Sequence, residues 1–556
     1  MTEELLATVR AWIDIDPDPA TRSQLETLVE AGDTAALDEL FEGRIGFGTA
    51  GLRAAEGPGP NRMNRLVVRQ TTAGLMNWLN DHGTLTPTIV VGFDARRGSH
   101  AFAHDAACVI AARGGRALIL PRPLPTPVLA RGVLFENADA GVMITASHNP
   151  AADNGYKLYL ADGIQLVAPA DAEIADAIYS VAAIGDPVLV TEDGVIELGD
   201  EVADEHLRAI QDVLLTEHRA VSTVYTAMHG VGGTHLLAAF GQAGFPPPAI
   251  VAEQFEPDPD FPTVKFPNPE EPGALDLALQ LAERESADLV LANDPDADRI
   301  ALAVRARGGS GYSSLSGDQT GVLLADHLLT HTSGDDRLVA ASLVSSRLLS
   351  KMAASAGVAC ETTLTGFKWV ARPIVDQPHR RYLIGYEEAL GYSIGGIVHD
   401  KDGISAALVA AEAVAEAIAR GETVWDRLDR LAAAHGTHLT APLSIRFDGT
   451  DAQERMQTTM TRVVANPPPM LAGSLLTSSE NLADGNNLPP TSGSLLLYAD
   501  DTRVIIRPSG TEPKVKAYIE VIEPVRGPAD IEASRHRGEQ HLAAAVAEIE
   551  EVLGQA

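Results

Sequence analysis

A chain of 556 residues is too long for one ordinary core, and domain-size priors divide it into roughly three to five units. With 76 acidic against 42 basic side chains its formal charge is −34, which argues against nucleic acid as a partner through long-range repulsion. Hydrophobic content of 45%, the lack of any apolar run near ~18 residues and an acidic start point to a soluble, cytoplasmic protein without membrane span or signal peptide. The two cysteines, Cys108 and Cys360, give neither a disulfide framework nor zinc spacing, as expected in a reducing compartment.

Along the chain, apolar β-branched runs alternate with Ala/Leu-rich helical patterns, which predicts α/β architecture. Thr88–Asp94 reads as a strand ending at a polar loop, and Ala140–Thr145 as a strand that delivers Ser147 at its end. Asn154-Gly155 reads as a turn that folds Lys157 back towards that serine. Thr223–Thr226, the Gly230-Val-Gly-Gly233 turn and Leu236–Phe240 give a strand–turn–helix signal. Strands are predicted at Asp288–Ala292 and Ile300–Val304, flanking an acidic loop, and at Leu338–Ser342 and Arg381–Gly385. A helix from Ile404 to Arg420 stops at Gly421, its predicted C′ residue. Pro467–Pro469 and Ser478–Ser494 read as an exposed insertion rich in Pro, Asn, Ser and Gly. Arg503–Ile506 and Val515–Val521 bracket a Pro-Ser-Gly turn like two strands, and an amphipathic helix from Glu539 to Leu553 closes the chain. Boundaries near 218, 318 and 438 give four domains, 1–217, 218–317, 318–437 and 438–556.

Three segments carry chemistry. Thr145-Ala-Ser-His-Asn-Pro150 offers a hydroxyl nucleophile, Ser147, in a loop. It is no hydrolase elbow, because Thr145 and Asn149 occupy the positions that elbow needs as glycines. Asp294-Pro-Asp-Ala-Asp-Arg299 places three short carboxylates at alternate positions, so an extended backbone would aim all three one way, as suits Mg²⁺. A calcium EF-hand fails, since Arg299 replaces the loop glycine and Arg305 the closing glutamate. Arg507-Pro-Ser-Gly-Thr-Glu-Pro-Lys514 offers backbone N–H groups at Gly510, hydroxyls from Ser509 and Thr511, and cations to clamp a phosphate. In so acidic a chain a phosphate site must concentrate cations, and Arg503, Arg507, Lys514 and Lys516 fall within one short segment. Nucleophile, metal site and phosphate clamp together imply phosphoryl transfer through a phosphoserine.

These segments resemble the signatures of the α-D-phosphohexomutase superfamily, which includes phosphoglucomutases and phosphomannomutases, over nearly the whole chain. Gly48-Thr-Ala-Gly-Leu-Arg53 is similar to its N-terminal substrate motif, and Arg53 matches its active-site arginine. Phe93-Asp-Ala-Arg96, Leu124-Pro-Thr-Pro127 and Phe261–Glu271 resemble further signatures. Gly385-Tyr-Glu-Glu-Ala389 resembles the sugar-binding loop, and Lys401-Asp-Gly403 follows it as in a longer subgroup that also holds phosphopentomutases and glucose-1,6-bisphosphate synthases.

The resemblance implies four α/β domains around one cleft, three with similar mixed sheets and a smaller C-terminal α+β domain. It implies that Ser147 carries phosphate and, with Asp294, Asp296 and Asp298, holds Mg²⁺; that Arg53, His148 and Lys157 serve the transfer; and that a sugar bisphosphate such as glucose 1,6-bisphosphate activates the enzyme. Substrate contacts would come from Arg299, Gly366, Lys368, Glu387, Glu388, Lys401, Arg507, Ser509, Gly510, Thr511 and Lys514. Two departures stand out. Thr365-Gly-Phe-Lys-Trp369 carries Phe367 where many bacterial phosphomannomutases have a histidine, and Ala389 replaces the serine frequent in glucose-specific members. The expected activity is exchange of phosphate between positions 1 and 6 of glucose or mannose, in a monomer or dimer. The alternatives are a phosphopentomutase, a glucose-1,6-bisphosphate synthase, an aspartyl-phosphate phosphatase using Asp294, and a non-enzymatic sugar-phosphate sensor.

Overall fold

The computed structural model describes residues 2–48, 51–185, 188–449, 451–485, 494–509 and 513–554. The chain forms two compact units. The first comprises Met1–Leu315, Ala371–Pro378 and Ala389–Glu416, and the second comprises Ser316–Val370, His379–Glu388 and Ala417–Ala556.

The first unit opens with three helices, Glu3–Ile15, Pro19–Ala31 and Thr34–Phe41. Each is started by a side chain that accepts an otherwise unpaired N–H: Thr2 from Leu5, Asp18 from Ala20, and Asp33 from Ala36. Their buried Val9, Trp12, Leu25 and Leu37 join the core beneath the first sheet. That sheet contains β1 (Leu52–Ala55), β2 (Thr88–Phe93), β3 (Arg116–Ile119), β4 (Ala140–Ile144), β5 (Asp153–Leu160) and β6 (Val195–Glu197), in the order β1-β5-β4-β2-β3-β6. The neighbours β4, β2, β3 and β6 run parallel, while β5 is antiparallel to both β1 and β4. A second sheet has β7 (Thr223–Thr226), β8 (Ala249–Ile250), β9 (Leu289–Asn293), β10 (Ile300–Arg305) and β11 (Tyr312–Ser314), in the order β11-β10-β9-β7-β8.

In the second unit, β12 (Arg337–Ser342) lies parallel between β13 (Ala359–Thr363) and β14 (Arg381–Glu387). The helix before β12, Gly317–His331, starts at a capping box in which Ser316 and Gln319 satisfy each other's backbone N–H groups. β15 (Gly391–Ile394) belongs to the first unit, where Gly391 forms an antiparallel bridge with Arg299. The C-terminal strands are β16 (Thr437–Arg446), β17 (Met470–Leu471), β18 (Ser474–Leu475), β19 (Ser478–Asn481), β20 (Leu495–Ala499), β21 (Thr502–Pro508) and β22 (Lys514–Glu523). Five of them form an antiparallel sheet, β16-β22-β21-β20-β19, closed by the helix Ile531–Gly554.

The predicted α/β architecture holds, and the strands expected at β2, β4, β7, β9, β10, β12, β14, β21 and β22 are present. Three local readings are corrected. Asn154-Gly155 is not a turn: both residues lie inside β5, held by pairing on two sides, and Lys157 follows on the same strand. The stretch expected as an exposed insertion contributes an edge strand, β19, paired with β20; its residues 486–493 lie outside those described. The closing helix begins at Ile531, one third of its length before the predicted start. Among the described residues, no helix is long and apolar enough to cross a membrane.

Candidate active site

Ser147 is not an ordinary loop serine. It follows β4 with φ at +53°, a left-handed conformation that costs a non-glycine residue about 1–2 kcal/mol. Its backbone is over-determined. The Ser147 N–H donates to Thr145 Oγ1 at 2.9 Å, while Arg96 reaches across from the end of β2. Arg96 donates to the carbonyls of Ser147 and Asn149, each at 2.7 Å, and of Pro150 and Asp153 at 2.7 and 2.8 Å. The guanidinium is buried between Asp94, 3.3 Å away, and the ring of Phe261, 5.1 Å from its centre. The sequence flagged Arg96 and Phe261 only inside motifs; the clamp joins residues more than fifty positions apart and has no local signature.

The carboxylate loop lies against this serine. Ser147 Oγ donates to Asp294 Oδ2 at 3.0 Å, and His148 Nδ1 stands 3.5 Å from Ser147 Oγ. The loop is a turn rather than the extended segment expected, with Ala297 at φ +53°. Even so, Asp294, Asp296 and Asp298 bring one oxygen each within 4.8 Å of one another, all buried. Like charges at such separations cost roughly 3–4 kcal/mol per pair at an effective dielectric of 20, so cations are required. Lys157 supplies one, with Nζ 2.6 Å from Asp296 Oδ2 and 2.8 Å from Asp298 Oδ2. Lys401 supplies another, 3.3 Å from Asp298 and 3.1 Å from Asp400. Burial, then the charges of Asp296 and Asp298, push the Asp294 carboxyl well above its ordinary range. Lys157 holds both Asp296 and Asp298 below theirs against the opposing effect of burial. Burial, with Arg299 and Arg53 adding, drops His148 well below its usual value, so its ring is neutral at pH 7.

A cation fits this cluster. Asp296 Oδ1 and Asp298 Oδ1 are buried and have no hydrogen-bond partner among the described residues. All the donors are hard carboxylate oxygens, the set Mg²⁺ prefers. The backs of both loops are tightly packed. A Cβ on Gly155 would come 2.6 Å from the carbonyls of Leu52 and Thr145, which lets β1 bring Arg53 beside β5. A Cβ on Gly230 would stand 2.3 Å from Pro295 Cα, and one on Gly403 2.3 Å from the Arg299 carbonyl. The Gly230–Gly233 turn therefore cradles the carboxylate loop, a role its sequence did not reveal. Arg299 donates to the carbonyl of Ala389 at 3.0 Å. The Nε of Arg53 is buried without a partner among the described residues.

The second unit holds the remaining candidates. Glu387 Oε1 accepts from the Gly366 N–H at 2.6 Å, so two sequence-predicted residues meet. Glu388 Oε2 lies 3.3 Å from the hydroxyls of both Ser342 and Ser345, neither of which the sequence singled out. Burial, with Glu387 and Asp318 nearby, pushes its carboxyl up to about 8. Lys368 is 7% exposed, its Nζ 5.9 Å from the Trp369 ring. Arg507 lies over Tyr518 and donates to its hydroxyl at 3.0 Å. The Ser509 N–H donates to the Lys514 carbonyl at 2.8 Å, at the base of the loop. Gly510 and Thr511, like Thr49 and Ala50 of the N-terminal motif, lie outside the described residues. Arg503 is not available to a phosphate as the sequence suggested: it is buried against Glu520 at 3.1 Å and donates to the Ser345 carbonyl at 2.6 Å.

The chain matches all four domains of the phosphoglucomutase/phosphomannomutase family: the alpha/beta/alpha domains I, II and III over residues 44–183, 204–309 and 316–434, and the C-terminal domain over 497–526. It belongs to that family. It is thus a member of the α-D-phosphohexomutase superfamily and an intramolecular phosphotransferase of the phosphosugar-mutase type. A Haemophilus influenzae protein named "Probable phosphomannomutase" is 41% identical over 463 residues, covering 82% of this chain and 93% of its own. The phosphopentomutase of Homo sapiens is 34% identical over 558 residues, covering 92% and 90%. In fold, the chain is similar to the open form of parafusin, a Paramecium phosphoglucomutase, with a TM-score of 0.69 at 18% identity over 92% of this chain and 94% of that one. As a phosphosugar mutase, the protein has its nucleophile candidate, carboxylate cluster and two lysines in one unit, and its candidate hydroxyl-reading carboxylates in the other.

Proposed function

We propose that this mutase interconverts the 1-phosphate and 6-phosphate of a hexose, glucose or mannose, with Ser147 as the phosphorylated nucleophile and a bisphosphorylated sugar as intermediate. The carrying observation is the 3.0 Å hydrogen bond from Ser147 Oγ to the Asp294 carboxylate, inside a cluster whose other two aspartates keep unpartnered oxygens.

The phosphoserine gives its phosphoryl group to the free hydroxyl of the bound monophosphate: the P–O bond to Ser147 breaks, a P–O bond to the sugar forms, and the proton of the sugar hydroxyl ends on the Ser147 oxygen. After the bisphosphate reorients, its other phosphoryl group returns to Ser147. His148, neutral and 3.5 Å from Ser147 Oγ, is placed to take or return the hydroxyl proton of serine. Lys157 and Arg53 offset the charge of the phosphoryl group, and Arg96 fixes the loop that carries it. Asp294, Asp296, Asp298 and a phosphoryl oxygen would hold Mg²⁺, which when bound supplies charge neutralisation on the transferred group. Glu387 and Glu388 read sugar hydroxyls, with Gly366, Lys368, Arg299 and Lys401 as further contacts. Arg507, Ser509, Gly510, Thr511 and Lys514 bind the phosphate not being transferred. A sugar bisphosphate such as glucose 1,6-bisphosphate primes Ser147.

The second reading is a phosphopentomutase, favoured by Ala389 in the sugar loop and by the human relative. Turnover of glucose, mannose and ribose phosphates tests the choice: kcat/KM for ribose 1-phosphate well above that for glucose 1-phosphate would replace the hexose assignment. Intact-mass spectrometry tests the mechanism. Phosphate should appear on the wild type after incubation with a bisphosphate and be absent from Ser147→Ala. Labelling that survives in that variant but vanishes in Asp294→Asn would point to aspartyl phosphate. Chelation should abolish turnover and Mg²⁺ restore it.

A further inference from the structure

Between β12 and the helix Leu348–Ser355 runs a tight turn, Ser342-Leu-Val-Ser-Ser346, whose three serines are 2%, 1% and 5% exposed. None lies in a motif the sequence singled out. Buried hydroxyls need partners, and those of Ser342 and Ser345 converge on one carboxyl. Ser342 Oγ and Ser345 Oγ are 2.8 Å apart, and each lies 3.3 Å from Glu388 Oε2. The Glu388 N–H donates to Ser345 Oγ at 3.2 Å. Both ends of the same glutamate are therefore tied to one turn, leaving Oε1 as the oxygen without a contact from these serines.

The turn is itself gripped from the C-terminal sheet. Arg503 on β21 donates to the Ser345 carbonyl at 2.6 Å and pairs with Glu520 on β22. Glu520 accepts from Ser346 Oγ and from the N–H and Nε of Arg347, at 2.7–2.8 Å. Asp318 accepts from the Ser346 N–H at 2.7 Å and from the Tyr386 hydroxyl at 3.1 Å, just ahead of the sugar loop. A Cβ on Gly317 would come 1.7 Å from the Glu388 carbonyl, so the loop backbone has no room to shift that way.

We infer that Ser345, assisted by Ser342, is a specificity-positioning residue that orients the Glu388 carboxyl towards the sugar, and that Arg503 and Glu520 of the C-terminal sheet hold it in register. The inference rests on the mutase reading and on Glu388 facing sugar hydroxyls. A carboxyl fixed at Oε2 presents Oε1 in one direction and discriminates between hydroxyl arrangements; a freed one rotates and does not.

The test measures kcat/KM of the wild type, Ser345→Ala and Ser342→Ala for glucose 1-phosphate, mannose 1-phosphate and ribose 1-phosphate, with the melting temperature of each. Ser345→Ala should lose about tenfold on the best substrate and less on the others, compressing the ratio between sugars, as expected for loss of hydrogen bonds to a buried carboxyl. Ser342→Ala, which leaves the Ser345 hydroxyl in place, should do the same to a smaller degree and keeps the test open if Ser345→Ala does not fold. Equal losses on all three sugars, or unchanged ratios in both variants, would overturn the positioning role while leaving the mutase intact. A wild type inactive on all three sugars would overturn both.

Discussion

At the scale of single residues, environment decides what each candidate does. His148 and Glu388 are both moved from their ordinary ionisation by burial, in opposite directions: the imidazole is held neutral, and the carboxyl is held protonated. The Glu388 shift has a stability sign. A carboxyl whose folded-state pKa is raised binds its proton more tightly folded than unfolded, so it destabilises the fold increasingly as pH rises from the ordinary range through about 8. Glu388→Gln, neutral at every pH, should therefore melt increasingly above the wild type between pH 6 and pH 9. In kinetics, the wild type should lose kcat/KM on the alkaline side near pH 8, and the glutamine variant should lack that limb. A parallel melting difference at all pH values would show that Glu388 ionises normally. Arg96 illustrates what no composition reveals: a guanidinium that donates to four carbonyls of the serine loop.

At the scale of elements, the two loops of the carboxylate site are shaped by what packs behind them. Gly230 and Gly241 make a controlled pair, since one touches the carboxylate loop and the other, inside the helix Gly232–Ala243, has nothing within 4 Å. Gly241→Ala should stabilise the protein by about 0.5–1 kcal/mol, the ordinary helix gain. Gly230→Ala forces Pro295 to move, so it should destabilise by about 1–3 kcal/mol and raise the Mg²⁺ concentration needed for half-maximal activity. Equal metal requirements in the two variants would detach the Gly230 turn from the site. The contrast also explains which parts of the site were legible. Ser147 and the three aspartates could be read because each follows an apolar strand, and strand ends are where such loops open. Lys157 was named for the right neighbourhood and the wrong element: Asn154-Gly155 is turn chemistry in isolation, but pairing to β1 and β4 overrides it. The serine turn beneath Glu388 and the Gly230 cradle depend on contacts between segments far apart in sequence, and local patterns carry no trace of those.

At the scale of the whole molecule, a protein of net charge −34 must take up an anionic sugar phosphate, so its few cations are worth tracing. Many are already committed: Arg503 to Glu520, Arg96 to the serine loop, and Lys157 to Asp296 and Asp298. Arg507 differs, for among the described residues its guanidinium donates to the neutral hydroxyl of Tyr518. A sugar phosphate bound at Arg507 gains a charge-assisted pair both before and during transfer, so that contact is largely uniform binding. Arg507→Ala should accordingly raise KM, by a factor corresponding to about 2–3 kcal/mol, with kcat changed far less. The chemistry at Ser147 belongs to other residues, so phosphorylation of the variant by a saturating bisphosphate should reach the wild-type stoichiometry by intact mass. Ser147→Ala should give the opposite pattern, with no phosphoenzyme and turnover lost. If Arg507→Ala leaves KM unchanged for monophosphate and bisphosphate alike, the turn between β21 and β22 is a hairpin without a ligand. The cations that recognise the second phosphate must then be sought at Lys368.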